Sequence, residues 1–534
     1  MAPTGALAAL VSLFLAAVLP DAAVAYRVLG VLPHIMHSHN VMFKPLFEEL
    51  AARGHEVFMI SPFPQKTKIA NYTDLDVSSI VPPQANTMEF DFMAKPGQLG
   101  SVATMRVLAN LADADTCRRV FSSKHFQDVM KGAYGKFDVV FTEVSNTDCW
   151  AAVPYKLKVP MISLSTQPGF MWSAGRVGYP DNPAYITTSF MNFAYPATFW
   201  QRLYNTYNYL TVHFLAKRWL QDSCDDVVRE FFGADTPPLS ELVQRTSLVM
   251  ENVWPGVQLA RPVPPNVLQV GGLHIRPPRL PGGATLEPGL RAWMDAAEHG
   301  VIFFTMGSGV RTSTLPKDKF LALRDAFAAL PQRVLWKYEL DTMEGQPDNV
   351  RIASWFPAID VLSHPKTVLF ITHGGLMGTL EAVYAGVPML GIPLVSDQGP
   401  NVELYKHRGI AERLDHWALT KDRLLELVNK MIKDPKYRER AREVSALYRD
   451  RPRTPAQEAV WWTEYVVRHR GAPHLRPVGA DMPLHQYLLL DVAAVVLAAV
   501  VVVLLAARAV VRRLASALTS KPPSPSSKTK RKGD

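Results

Sequence analysis

Residues 370–388 read FITHGGLMGTLEAVYAGVP. An apolar run from Val368 to Thr372 ends on His373, Gly374 and Gly375, and a helix-length segment follows before Gly386. That arrangement could seat a diphosphate. Paired glycines let a bulky group approach the backbone, and the start of a helix presents free N–H groups and partial positive charge. His373 adds a donor, and Glu381, in the same helical stretch, offers a carboxylate to ribose hydroxyls. On its own the fragment serves equally well as a strand–helix turn capped by a histidine. A second constellation lies in HSHN at 37–40. His39 follows the first apolar run, where a neutral imidazole can take a proton from an attacking hydroxyl; His34 and His37 are nearby alternatives. Such a base needs a carboxylate to orient it. Two compete: Glu143, two residues past VVF, and Asp148, in NTDC.

A framework must bring these groups together. YRVLGVLP (26–33) reads as a buried strand, and residues 40–60 as a helix, a turn at Gly54 and a strand. KFDVVFTE (136–143) and VPMISLST (159–166) are further apolar runs. A Pro-rich passage at 254–283 interrupts the pattern. Alternation then resumes with GVIFFTMGSG (300–309), RVLWKYE (333–339), VRIASW (350–355), TVLFIT (367–372) and VPMLGIP (387–393). Strand–helix alternation of this kind predicts α/β architecture with parallel, doubly wound sheets. Two facing Rossmann-like domains are expected, at 26–260 and 286–445, joined by a linker at 261–285 and followed by a closing helix and juxtamembrane segment at 446–487. Residues 185–219 hold eleven aromatics, about three times the 10% of the whole chain. Core helices, a lipophilic pocket and a membrane-facing surface all fit that enrichment.

The ends of the chain speak of a membrane. Residues 1–25 read as a signal peptide, with an apolar stretch from Ala6 to Leu19 and a small-x-small site at Ala23-Val24-Ala25. Residues 488–507 are apolar and long enough to span a bilayer, with Asp491 the single charge near the entry. The remaining 508–534 carry eight Lys or Arg and one Asp, hence +7 of the net +9, leaving about +2 for everything before them. The basic balance is therefore a tail, which argues against a nucleic-acid partner and for a cytosolic C-terminus with the bulk luminal. Lys530 and Lys532 sit where a K-x-K-x-x retrieval signal has them, which predicts an endoplasmic-reticulum, single-pass type I protein. Cys117, Cys149 and Cys224 allow at most one bridge and have no metal-ligand spacing. Asn71-Tyr72-Thr73 is a glycosylation sequon.

The run WFPAIDVLSHPKTVLFITHGGLMGTLEAVYAGVPMLGIPLVSDQGPN (355–401) resembles the donor-binding signature of the UDP-glycosyltransferase family. Matching positions include Trp355, Pro357, His364-Pro365, His373-Gly374-Gly375, Gly378, Glu381, Gly386-Val387-Pro388, Pro393, Asp397-Gln398 and Asn401. SHN, NTDC and HGGLMGTLEAV look most like its arthropod branch. The resemblance implies the GT-B fold of two Rossmann-like halves, with the donor held by the C-terminal half. It implies that Trp355 stacks on uracil and Glu381 binds ribose. Ser308, His373, Gly375 and Gly378 would hold the diphosphate, and Asp397 and Gln398 the sugar hydroxyls. His39 matches the family's base, sixteen residues before His55, and Asp148 is the orienting carboxylate favoured by the arthropod-like pattern. Ala358 stands where the family usually has Gln, and Met377 where many members have Asn.

The expected activity is inverting transfer of a hexose, glucose before glucuronate, from a UDP-sugar co-substrate to a hydroxyl of a small lipophilic acceptor. No cofactor is expected, and no obligatory metal, since the donor half has no Asp-x-Asp motif and no clustered His or Cys. A homo-oligomer is compatible with the sequence. A nicotinamide oxidoreductase would need G-x-G-x-x-G after the first strand, and LPHIMHSHN has no glycine. A catalytically silent ligand binder is opposed by intact His39, Glu381, Asp397 and Gln398.

Overall fold

The computed structural model describes residues 25–91, 101–111, 113–145, 147–187, 197–276 and 286–520. The expected signal peptide, the retrieval lysines Lys530 and Lys532, and Phe190 and Phe193 of the aromatic segment lie outside the described residues. The chain divides into two units, Met1–Arg476 and Pro477–Asp534.

In chain order the strands of the first unit are β1 (Arg27–Val31), β2 (Glu56–Ser61), β3 (Tyr72–Asp76), β4 (Met88–Glu89), β5 (Val139–Glu143), β6 (Met161–Ser165), β7 (Thr246–Glu251), β8 (Val267–Gln269), β9 (Val301–Thr305), β10 (Val310–Arg311), β11 (Arg333–Lys337), β12 (Val350–Ala353), β13 (Thr367–Thr372), β14 (Met389–Gly391) and β15 (Ala411–Arg413). They form a seven-stranded sheet ordered β3-β2-β1-β5-β6-β7-β8 and a six-stranded sheet ordered β12-β11-β9-β13-β14-β15. Every pairing in both sheets is parallel. Central strands are buried on both faces, which is why Val139–Phe141 and Val301–Phe304 read as unbroken apolar runs. In each sheet the order reverses beside its first strand, β1 or β9. That is the switch point beyond which ligands bind.

Two features differ from the sequence expectation, and the expected closing helix takes a definite place. The stretch expected as linker contributes β8 to the first sheet, so the crossing to the second half falls later. Residues 84–90 leave the first half: β4 pairs in parallel with β10 of the second, and Phe90 is buried in the second core. After the second sheet, the helix Pro455–Arg468 packs back onto the helix His37–Ala52, sealing Ala459, Val460 and Val466 against Met42, Phe43 and Leu46.

Most of the described aromatics of the segment 185–219 face outward, while Tyr209 and Trp219 pack against the core cluster around Phe170 and Trp172. The helix Phe199–Ala216 opens with a Thr198 capping box and buries Asn205 and Asn208. Its Phe199, Trp200, Leu203, Tyr204, Tyr207, Leu210 and Phe214 are exposed, each by more than half.

In the second unit the helix Leu490–Thr519 carries the apolar stretch expected to span a membrane and continues past Arg508.

Candidate active site

The parallel pairing of β1 with β5 sets Val31 opposite Thr142. Their carboxyl ends therefore open side by side. His39 lies in the first turn of the helix after β1, and Glu143 is the last residue of β5. His39 Nδ1 is hydrogen-bonded to Glu143 Oε1. Burial pushes the Glu143 carboxyl up, but the electrostatic influence of the neighbouring His39 and His34 rings and the bond from His39 outweigh it and hold it below the usual range. An ionised Glu143 accepts the proton-bearing Nδ1, so Nε2 of His39 is left with its lone pair, as a base requires.

The competing candidates fall away for specific reasons. Asp148, the favoured orienting carboxylate, is turned elsewhere: Oδ1 bonds Arg176, and Oδ2 accepts from Gln221 Nε2 at 2.8 Å. The loop after β5 aims it at a buried guanidinium, and Glu143 takes its place beside His39. His34 is buried, and its two nitrogens meet the Met36 N–H at 3.0 Å and Ser145 Oγ at 3.2 Å. Its ring stacks on His39 at 3.8 Å and 4°. Burial, then the neighbouring His39, push its pKa down to about 3, so it stays neutral. His37 instead presents its ring edge-on to Trp355 at 5.6 Å.

On the facing half, the glycines around His373 have a steric cause. A Cβ on Gly307 or Gly375 would stand 2.5 Å from the His373 ring, and Gly374 has φ of +87° with Val402 at 2.6 Å. The ring thus lies between two backbone turns with no room for other residues. Burial, then Lys337, lower the His373 pKa to about 4, so it offers a neutral N–H. Gly375 caps the helix Leu376–Ala385, whose first N–H groups, Gly378 included, have no intrahelical acceptor. Ser308 sits in the turn between β9 and β10. These groups surround one position at the carboxyl edge of β9 and β13.

Trp355 is half exposed, which excludes a core role. Asp397 Oδ2 accepts from Asn401 Nδ2 at 2.7 Å, and the same amide donates to Gly374 O at 3.1 Å, tying the carboxylate to the glycine turn. Burial raises the Asp397 carboxyl, while His39 across the cleft is close enough to oppose that. Gln398 is more committed than the resemblance implies. Its Oε1 accepts from Leu394 N–H and Val395 N–H, so only its amide nitrogen remains for a ligand.

Residues 28–520 match the family described as "UDP-glucoronosyl and UDP-glucosyl transferase". The chain belongs to the UDP-glycosyltransferase family. It is 40% identical over 473 residues to UDP-glucosyltransferase 2 of Dactylopius coccus, covering 87% of this chain and 88% of that relative. It is 30% identical over 474 residues to UDP-glucuronosyltransferase 2B15 of Rattus norvegicus, covering 85% and 87%. The crystal structure of the glycotransferase of kitacinnamycin superposes with a TM-score of 0.55 at 19% identity, over 85% of this chain and 100% of that one. The fold is GT-B, and this UDP-glycosyltransferase is an enzyme of sugar transfer.

Sequence reasoning passed over Lys337, the one charge closing VLWK on β11. It is buried, and its Nζ donates to Asn86 Oδ1 at 2.6 Å and Glu339 Oε1 at 3.0 Å. A lysine at the carboxyl end of an apolar strand was the available signal. The cysteines also meet in space: Cys117 and Cys149 form a disulfide, and buried Cys224 lies within 4.8 Å of both. The bridge removes two sulfurs as metal ligands.

The donor side yields a pH prediction. Burial, then the Asp360 charge, push the Glu381 carboxyl up to about 8, above its ordinary 4.5. Folding then favours the protonated acid. That stabilisation is full below 4.5 and is lost as pH rises through about 8. Glu381→Gln, an isostere of the acid, is expected to raise Tm more at about pH 8.5 than at about pH 5. Scanning calorimetry at the two pH values checks it, and equal shifts would place the acid in an ordinary environment.

Proposed function

We propose that this UDP-glycosyltransferase transfers a hexose, glucose by preference, from its UDP donor to a hydroxyl of a small lipophilic acceptor, inverting the anomeric centre. The observation that carries the reading is the His39–Glu143 pair at the mouth of one sheet, facing Asp397 and the His373 turn of the other. The acceptor hydroxyl gives its proton to His39 Nε2 as its oxygen bonds the anomeric carbon, and the bond to the UDP oxygen breaks on the opposite face. Glu143 stabilises the imidazolium formed. Ser308, His373 and the helix start at Gly375 offset the negative charge of departing UDP, so the step needs no obligatory metal. Trp355 stacks on uracil, Glu381 holds ribose, and Asp397 and the Gln398 amide bind sugar hydroxyls. Glucose is supported by an aspartate on the sugar side, which would repel the carboxylate of glucuronate, and by the name of the Dactylopius relative. A lipophilic acceptor is supported by the apolar cluster of Phe170, Trp172, Val212 and Val144, the last beside Glu143. The test is product analysis by mass spectrometry, offering UDP-glucose and UDP-glucuronate against a panel of phenols and steroids. Glucuronide as the sole product would overturn the donor assignment, and no product with any donor would overturn the activity.

The same reading places the enzyme in the endoplasmic-reticulum membrane, type I, with the first unit luminal. The basic flank after the span supports that orientation, the Cys117–Cys149 bridge suits an oxidising compartment, and the outward aromatic face of Phe199–Ala216 suits a bilayer surface. Asn71 is exposed at the edge of the first sheet. Its Nδ2 donates to Ala51 O at 3.2 Å, a bond that a glycosylated nitrogen can keep with its remaining hydrogen. Asn71 is therefore expected to carry glycan. Protease added to sealed microsomes should remove no more than the 27 residues after 507. Digestion of the large unit in sealed vesicles, with Asn71 bare, would reverse the orientation. Lys530→Ala with Lys532→Ala should release the protein from the reticulum, and retention of the pair variant would remove that signal.

A further inference from the structure

The crossing of residues 84–90 connects the two loops that the proposed chemistry needs to align. At one end Gln84 pairs with Met36. Gln84 N–H donates to Ile35 O at 2.7 Å, and His37 N–H donates to Gln84 O at 3.3 Å. Met36 is also the cap of the His39 helix, its carbonyl accepting from His39 N–H at 3.2 Å. At the other end Asn86 N–H donates to Ser308 O at 2.8 Å, and the N–H groups of Thr87 and Met88 both reach Gly309 O, at 3.1 and 3.0 Å. The crossing is then nailed down. Phe90 is 2% exposed within the second core, and its N–H donates to Thr314 Oγ1 at 2.9 Å. Glu89 pairs with Arg311 at 3.2 Å. Asn86 is left-handed, with φ of +54°, which turns its side chain onto the buried Lys337 amine.

We infer that residues 84–90 are a clip through which occupancy of the Ser308–Gly309 turn fixes the position of His39, with Asn86 and Phe90 as positioning residues. Neither is assigned a contact with substrate. Each acts by holding one loop against the other, so that donor and base belong to one rigid arrangement rather than to two independently moving halves. The crossing is held by backbone bonds at both ends and its Phe90 anchor is buried, so a shift at the turn is carried to Met36 instead of being absorbed. The inference rests on the proposed placement of the donor diphosphate at Ser308 and of the base at His39.

The test is hydrogen exchange of the full-length enzyme with and without saturating UDP, read in peptides covering 34–40 and 305–312, in the parent, Asn86→Gly and Phe90→Ala. Glycine keeps the positive φ and removes only the amide. In the parent, UDP should slow exchange in both peptides. In both variants protection of 305–312 should persist, with UDP affinity within about threefold of the parent, while protection of 34–40 is lost. With a working acceptor, kcat should fall about tenfold with donor KM little changed, the signature of misalignment rather than lost binding. Protection of 34–40 that is absent from the parent, or intact in Asn86→Gly, overturns the clip. So does loss of UDP binding by Asn86→Gly, since the segment would then be part of the donor site's fold. If the parent's 305–312 shows no protection, the donor placement itself fails, separately from the clip. If His39→Ala remains active, the base assignment fails while the exchange result stands.

Discussion

His39→Ala should abolish transfer while leaving UDP binding intact. The imidazole stands on the helix that follows the first strand of the first sheet, and the proposed diphosphate seat lies at the second sheet, so the deletion removes a group from one wall of the cleft and leaves the other untouched. Its Nδ1 is committed to Glu143 and its Nε2 is the free nitrogen. No neighbour can substitute: His34 is stacked beneath it with both nitrogens engaged and its pKa pushed to about 3, and His37 is turned toward Trp355. Loss of a general base costs about a hundredfold or more. Burst-free steady-state rates with UDP-glucose, together with calorimetric titration of UDP, separate the two effects. A folded His39→Ala that turns over near the parental rate would remove His39 from the mechanism. A variant that also loses UDP would show instead that the ring helps to build the donor site.

The sheets were legible in the sequence because buried parallel strands leave continuous apolar runs, and Val301–Thr305 and Thr367–Thr372 appear in the chain much as they appear in the fold. The glycine turn at His373 was legible for the same kind of reason: Gly307, Gly374 and Gly375 are forced by close contact, and close contact restricts residue type. Side-chain aim is not encoded in spacing. Glu143 and Asp148 are both acids after the same strand, and only the path of the loop decides that one meets His39 and the other Arg176. The crossing at 84–90 has a two-residue strand and no period to detect. The helix Phe199–Ala216 shows the same aromatic pattern whichever face turns outward, and its buried Asn205 and Asn208 invert the usual choice. Gln398 was expected to be a sugar ligand, yet half its amide closes the 394–395 turn, a bond between near neighbours that residue type alone does not announce.

Glu143→Gln and Asp148→Asn should fail in different ways, and the difference identifies the orienting carboxylate. Glutamine preserves the shape of Glu143 but not its charge. Its amide can donate to Nδ1 and leave the proton on Nε2, the wrong tautomer for a base, and it no longer stabilises the imidazolium. Turnover should fall at least about a hundredfold. Because the exchange is isosteric, the pair leaves no cavity, and UDP affinity should stay near the parental value. Asp148 has a different burden. Arg176 is 3% exposed and relies on Asp148 for its charge partner, with Gln221 completing the site. Removing one charge from a buried pair costs about 3–5 kcal/mol. Asp148→Asn should therefore lower Tm and yield less folded enzyme, while the folded fraction, assayed below its transition, works at close to the parental rate. Thermal unfolding and active-site titration, run on both variants, read the two effects apart. A stable but inactive Asp148→Asn beside an active Glu143→Gln would return the orienting role to Asp148, and would mean that the loop carrying it turns toward His39 when substrates bind.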